Sequence, residues 1–202
     1  GQVIHFRSSA QRSLRSWLLG CNANLPADIS LYWLGPVASE FDARFLAISR
    51  RYRYLVWNST ARSAIWAGRC CYEPRQIDLH AMRAAAAHLL GQHDFSSFRG
   101  RDCQARSAVK TVHQLSIEHD QHWLSIDIEA GGFLHNMVRN IVGSLLLVGH
   151  GAKSADWMLE VLQQRDRRAA GPTAVPDGLY FVGAKYEDKF GLPEFRPLQL
   201  PR

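Results

Sequence analysis

The sequence predicts an α+β fold, an antiparallel sheet with helices on one face. From about residue 50 the order is strand, helix, two-stranded hairpin, helix pair, strand, and such a sheet offers one face to its helices. Apolar residues alternate along 111–129, most clearly Leu124, Ile126 and Ile128, as a half-buried hairpin requires. Residues 79–90 and 133–148 are apolar or Ala-rich runs of helical length, each closed by glycine.

The elements follow in chain order. Gln2 to Phe6 reads as a strand, Gln11 to Leu19 as an amphipathic helix stopped by Gly20. Asn24 to Asp28 is a turn and Ile29 to Leu34 a strand. Phe41 to Phe45 leads into a strand around Tyr52, and Asn58 to Tyr72 is irregular. Asp78 is the N-cap of a helix from Leu79 to Leu90, because its carboxylate can accept from free first-turn amides. Asp94 to Asp102 makes a polar, basic loop. The hairpin is Thr111 to Glu118 with Trp123 to Glu129. Helices follow from Phe133 to about Val148 and from Ala155 to about Gln164. The last strand is Leu179 to Tyr186, before a Pro-rich tail.

The chain has 202 residues, room for one substantial domain or two small ones. Net charge is +6. Lysine occurs only at Lys110, Lys153, Lys185 and Lys189, so the positive charge is mostly arginine, the better phosphate and base-stacking residue. Cys21, Cys70, Cys71 and Cys103 form no C-x-x-C pair, which argues against a zinc site and a secreted disulfide framework. The histidines show no metal-binding spacing. No signal peptide is visible, and Asn136, Arg139 and Asn140 interrupt the most membrane-like stretch. A reducing, cytoplasmic setting is expected.

Arg50-Arg51-Tyr52-Arg53-Tyr54 is the densest chemical signal. On a strand, Arg50, Tyr52 and Tyr54 share one face, and Arg51, Arg53 and Leu55 the other. Stacking rings beside phosphate-binding guanidiniums suit flipped or single-stranded RNA bases. An Arg-rich exposed edge strand with snorkelling stems fits the same residues.

Arg139 sits on a helix whose remainder is mostly apolar. A guanidinium there needs a carboxylate, a phosphate or carbonyls, because a lone buried charge is expensive. It pairs either with a catalytic acid or RNA backbone, or structurally with Asp127 or Glu129.

Several segments together resemble one family. They are Gly1-Gln2-Val3, Asn22-Ala23-Asn24-Leu25-Pro26, Phe41-Asp42-Ala43-Arg44-Phe45, Arg51-Tyr52-Arg53-Tyr54, Asp94-Phe95-Ser96-Ser97-Phe98, the run from Phe133 to Gly143, and Gly178-Leu179-Tyr180. In order and spacing, over nearly the whole chain, they are similar to tRNA pseudouridine synthase A. The resemblance implies a pseudouridine synthase fold of two ferredoxin-like halves, of which the N-terminal one is incomplete here. Residues 1–45 would be the remainder of that half, and residues 46–202 the C-terminal half with the RNA-binding cleft.

The resemblance also implies a cofactor-free, metal-free isomerase that acts as a homodimer on the tRNA anticodon stem-loop. Such enzymes flip a uridine, cut its glycosidic bond, turn the base and rejoin it through carbon 5. Tyr52 matches the tyrosine that stacks on the uracil. Arg139 matches the arginine that pairs with the nucleophilic aspartate, Leu179 the apolar residue beneath the flipped base. Arg44 matches an arginine implicated in opening the stem-loop. A ring stacks, a guanidinium keeps a carboxylate ionised, and an apolar floor excludes water.

The family's nucleophile lies in a G-R-T-D-like motif just before the segment with which this sequence opens. The sequence therefore reads as N-terminally truncated and inactive alone. Asp102 and Asp42 match no nucleophile position. A chain that is marginal alone, or held by dimer contacts, is expected. The alternative is a non-catalytic, RRM-like RNA-binding module.

Overall fold

The computed structural model describes residues 1–193; the Pro-rich tail lies mostly outside the described residues. The strands are β1 (Ser49–Asn58), β2 (Cys71–Glu73), β3 (Gly91–Asp94), β4 (Val109–Asp120), β5 (Trp123–Ala130) and β6 (Leu179–Lys185). The helices are α1 (Leu14–Asn24), α2 (Leu79–Ala87), α3 (Met137–Gly149) and α4 (Trp157–Gln164).

The strands form one sheet in the order β2-β1-β5-β4-β3, with β6 also beside β1. On one flank β1 pairs antiparallel with β5 along nearly its whole length. Its other flank is shared: β6 runs antiparallel beside Ser49–Tyr54, and β2 runs parallel beside Val56–Asn58. The sheet is thus mixed by one short parallel pair. The β1 strand is internal, so its arginines do not decorate an exposed edge.

Side-chain alternation sorts the two faces. Tyr54 and Val56 lie in the core opposite Ile126 and Leu124, and Ile128, opposite Tyr52, joins them. Met82, Ala85 and Ala86 of α2, most of α3, and Met158, Val161 and Leu162 of α4 cover that face. Each fully buried large aliphatic side chain there contributes about 1.5–3 kcal/mol. On the opposite face Arg51 and Arg53 share Asp127, which is 2 % exposed.

Asp78 caps α2 as expected, accepting from the Ala81 amide. The expected helix from Phe133 instead begins at Met137. Asn136 has φ 59°, a left-handed conformation that turns the chain immediately before the helix. At the other end of the strap that follows α4, Gly143 meets backbone: a Cβ there would lie 1.8 Å from the Pro172 carbonyl oxygen. That close approach lets residues 171–175 run along α3.

Residues 1–48 differ most from expectation. Gln2–Phe6 and Ile29–Leu34 form no strands, because no described strand lies beside them to complete a ladder. Ile4, Phe6, Ile29 and Tyr32 are exposed. Helix α1 runs through Gly20 to Asn24 and buries no residue. This part is tied to the sheet by a small cluster of Phe41, Tyr186 and Phe190, and by a bond from Tyr186 Oη to the Ala43 carbonyl, 2.7 Å. The β2 and β3 strands were not expected; one is three residues long and the other polar.

Among the described residues no helix is long and apolar enough to cross a membrane. The four cysteines are unpaired.

Candidate active site

Tyr52 stands on the helix-bearing face of β1, near the mouth of the core. A β-bulge interrupts the β1–β6 ladder at this point: Arg51 pairs with Gly183 and Tyr52 with Phe181. Bulges re-aim side chains and are common beside functional sites. The Tyr52 ring meets Phe133 edge-on at 5.0 Å and Phe181 at 5.3 Å. Such edge-to-face contacts hold an aromatic in one orientation, worth about 0.5–1.5 kcal/mol each beyond burial. Burial pushes the Tyr52 phenol above its ordinary pKa, while Arg50 pulls it down.

Leu179 opens β6 directly opposite Tyr54, two residues from Phe181 and on the same face. It is partly buried against the main core. Gly178 precedes it because nothing larger fits: a Cβ would stand 2.6 Å from the Leu55 carbonyl and 2.8 Å from the Tyr54 ring. The Tyr54 hydroxyl donates to the Val175 carbonyl at 2.8 Å, fixing the strap that leads to Leu179.

Arg139 enters from α3, one turn beyond Phe133 and Asn136. Its Nε donates to the Ala174 carbonyl at 2.7 Å and its Nη1 to Asn136 Oδ1 at 3.2 Å. The Ala174 amide returns a bond to the Arg139 carbonyl at 3.1 Å. The guanidinium is half-buried and held by neutral acceptors; no carboxylate among the described residues forms an ion pair with it. The pairings left open by sequence are not made. Asp127 is occupied by Arg51 and Arg53 on the opposite sheet face, and Glu129 accepts from the Ser49 hydroxyl.

The strap is itself braced. Gly171 donates to Ser144 Oγ at 2.9 Å. Thr173 Oγ1 and Arg167 Nη2 both donate to Asn140 Oδ1, at 2.6 and 3.1 Å, and Asn140 Nδ2 reaches the Phe98 carbonyl. These bonds determine where the Ala174 carbonyl sits, and so where Arg139 points.

Arg44 is less closely integrated. Its guanidinium lies over the exposed Phe45 ring at 5.4 Å, and its carbonyl accepts from Arg50, which shares the Tyr52 face. Asp42 beside it is committed to the amides of Phe45 and Arg44, which hold its carboxyl below the usual range. Asp102 is exposed on a loop.

Of the four sequence-predicted residues, Arg139 and Leu179 are thus linked through the 171–175 strap and Tyr54, and Tyr52 joins them along the same face of the β1–β6 ladder. Sequence reasoning gave no role to Phe133, Phe181 or Asn136. Phe133 and Asn136 lay within a quoted motif, but nothing in the pattern announces an aromatic flank or an αL asparagine. Among the described residues there is no cluster of histidine, cysteine and carboxylate that could hold a metal ion.

The arrangement offers a held ring, an apolar leucine on the same sheet face, and a cation that has no charged partner among the described residues. Residues 85–187 match the family model described as tRNA pseudouridine synthase. A protein of Histophilus somni (strain 2336) named tRNA pseudouridine synthase A is 47% identical over 194 residues, covering 96% of this chain and 72% of its own length. The like-named protein of Bordetella parapertussis is 49% identical over 193 residues, with the same coverage. That of Pseudomonas aeruginosa is 47% identical over 194 residues, covering 96% of this chain and 68% of its own.

Proposed function

Because this chain belongs to the tRNA pseudouridine synthase A family, we propose that its site isomerises uridine to pseudouridine on the 3′ side of the tRNA anticodon stem-loop. Tyr52 receives the flipped uracil on its ring, and Leu179 packs beneath the base and excludes water. Arg139 pairs with the nucleophilic aspartate and keeps it ionised. Arg44, outside this trio, helps open the stem-loop. The protein works as a cytoplasmic homodimer and needs no cofactor.

One observation carries this reading. A half-buried guanidinium, fixed by two neutral acceptors, lacks an ionic partner among the described residues, and its charge acts on Tyr54, the next ring after Tyr52 on the same face of β1. A cation so placed is costly unless an anion completes it. That anion is an aspartate supplied from outside residues 46–202, the C-terminal ferredoxin-like half. Residues 1–45 are the part of the N-terminal half that this chain contributes. The 202 residues alone then bind tRNA without turning it over, since no other group here replaces a covalent nucleophile.

The test is to incubate an unmodified tRNA transcript with the product of the whole gene and map pseudouridine along it. Modification confined to the 3′ side of the anticodon stem-loop supports the proposal. Modification elsewhere, or none, contradicts it.

A further inference from the structure

We propose that the loop joining β3 to β4 is a second RNA-contacting surface, which grips backbone phosphates of the tRNA through Arg101, Arg106 and Lys110. This rests on the tRNA reading of the site and extends it to a part of the molecule with no assigned role.

The loop is rigid at its base. Phe95 and Phe98 are fully buried anchors, and Ser97 Oγ donates to the Val161 carbonyl. Asn140 of α3 holds the Phe98 carbonyl from the other side at 2.8 Å. Arg99 is consumed internally: its Nη2 donates to the carbonyls of Cys103 at 2.7 Å and Ala105 at 2.9 Å. One guanidinium thereby folds the loop back on itself.

The loop is also seated against the candidate site. The Gly100 amide donates to the His135 carbonyl at 2.8 Å, and the His135 amide to Cys103 Sγ at 3.3 Å. Gly100 is required there, because a Cβ would lie 2.9 Å from the His135 carbonyl oxygen and 3.2 Å from Asn136 Nδ2. Asn136 is the residue that holds Arg139. At the far end of the loop, Lys110 follows Val109 into β4, and its stem runs along Gly132, beside the Phe133 that flanks Tyr52.

What the loop leaves unused is positive. Arg101 and Arg106 are exposed, Lys110 is half-exposed, and none of their side chains forms a hydrogen bond or ion pair. Asp102 is the acidic residue between them, and it too is unpaired. Elsewhere many arginines are spent on carboxylates, as Arg51, Arg53, Arg75 and Arg168 are. Unneutralised cations on a braced loop against the candidate site are what a flanking phosphate backbone requires.

The experiment measures binding, so it does not depend on turnover. An unmodified tRNA transcript is titrated with the chain and with the triple variant R101Q/R106Q/K110Q across a range of salt. A control variant, R12Q/R15Q/K153Q, removes the same charge elsewhere. The loop variant is expected to flatten the log Kd against log salt slope by about 2–3, and to weaken binding roughly tenfold at about 0.1 M salt. The control should change the slope by less than about 1. A loop variant with the wild-type slope and affinity overturns the inference while leaving the tRNA reading intact. Equal losses in both variants overturn it as well, showing a net-charge effect. A wild-type chain with no salt-dependent tRNA affinity overturns both readings.

Discussion

Asn136 Oδ1 accepts a hydrogen bond from Arg139 Nη1 at 3.2 Å, and it does so from a left-handed backbone with φ 59°. The unusual conformation ends the loop before α3 and turns the amide back onto the helix. Together with the Ala174 carbonyl it fixes two of the three guanidinium nitrogens. Asn136 is therefore a positioning residue for Arg139.

Replacing Asn136 by Gly keeps the left-handed backbone at little cost and removes the acceptor. In the product of the whole gene, kcat should fall at least about tenfold, in line with the roughly 1.5–3 kcal/mol of one hydrogen bond to a charged group. KM for tRNA and the melting temperature should hardly move. An unchanged kcat would show that Asn136 serves the turn alone. Asn136→Asp should be worse than Asn136→Gly, because the new carboxylate competes for Arg139.

The opposite sheet face makes a separate prediction. Asp127 is 2 % exposed and bonded by Arg53 at 2.9 Å and Arg51 at 3.3 Å, with these arginines 18 % and 30 % exposed. Asp127→Asn leaves two like charges side by side and should cost about 1–3 kcal/mol, moderated because both arginines reach solvent. Urea denaturation measures this. Because Arg51 and Arg53 are committed to Asp127, Arg51→Gln should leave the salt dependence of tRNA binding as it is. A loss of slope would mean that Arg51 contacts phosphate after all.

A third prediction concerns acid stability. His150 Nε2 lies 3.2 Å from Glu73 Oε2 without the alignment of a hydrogen bond, and its Nδ1 is buried with no partner. Burial lowers the His150 pKa, and Glu73 only partly opposes this. For Glu73, burial works upward, but the bonds from Arg75 prevail and hold the carboxyl below its ordinary value. Both groups bind protons more readily when unfolded, so stability falls as pH falls. The His150 contribution is present above about pH 6.5 and declines below it; the Glu73 contribution declines below about pH 4.5. His150→Gln should flatten the decline in unfolding free energy between about pH 6.5 and 5. An identical decline in this variant would assign it to other groups.

Much of the second half was readable from its residues. Asp78 announces α2 through its capping carboxylate, and Leu124, Ile126 and Ile128 announce β5 through alternation, because these are local signals. The Tyr52 bulge was not readable, since it depends on how β6 registers against β1. Ile4 and Tyr32 carry strand-like patterns that no neighbouring strand completes, and a pattern without a ladder partner does not form a strand. At the site, residue type pointed to Tyr52 and Arg139. The groups that orient them, Phe181, Asn136 and the Ala174 carbonyl, come together only through tertiary packing.

The most direct test is tritium release from tRNA carrying uridine labelled at carbon 5, using the product of the whole gene. If Arg139 pairs with the reacting carboxylate as proposed, Arg139→Gln should slow release by about 100-fold or more, because a charge-stabilising group is removed. Its Kd for tRNA should stay within about threefold of wild type, since the proposal assigns Arg139 to a carboxylate rather than to the RNA backbone. Release by Arg139→Gln at the wild-type rate would contradict the assignment of this site.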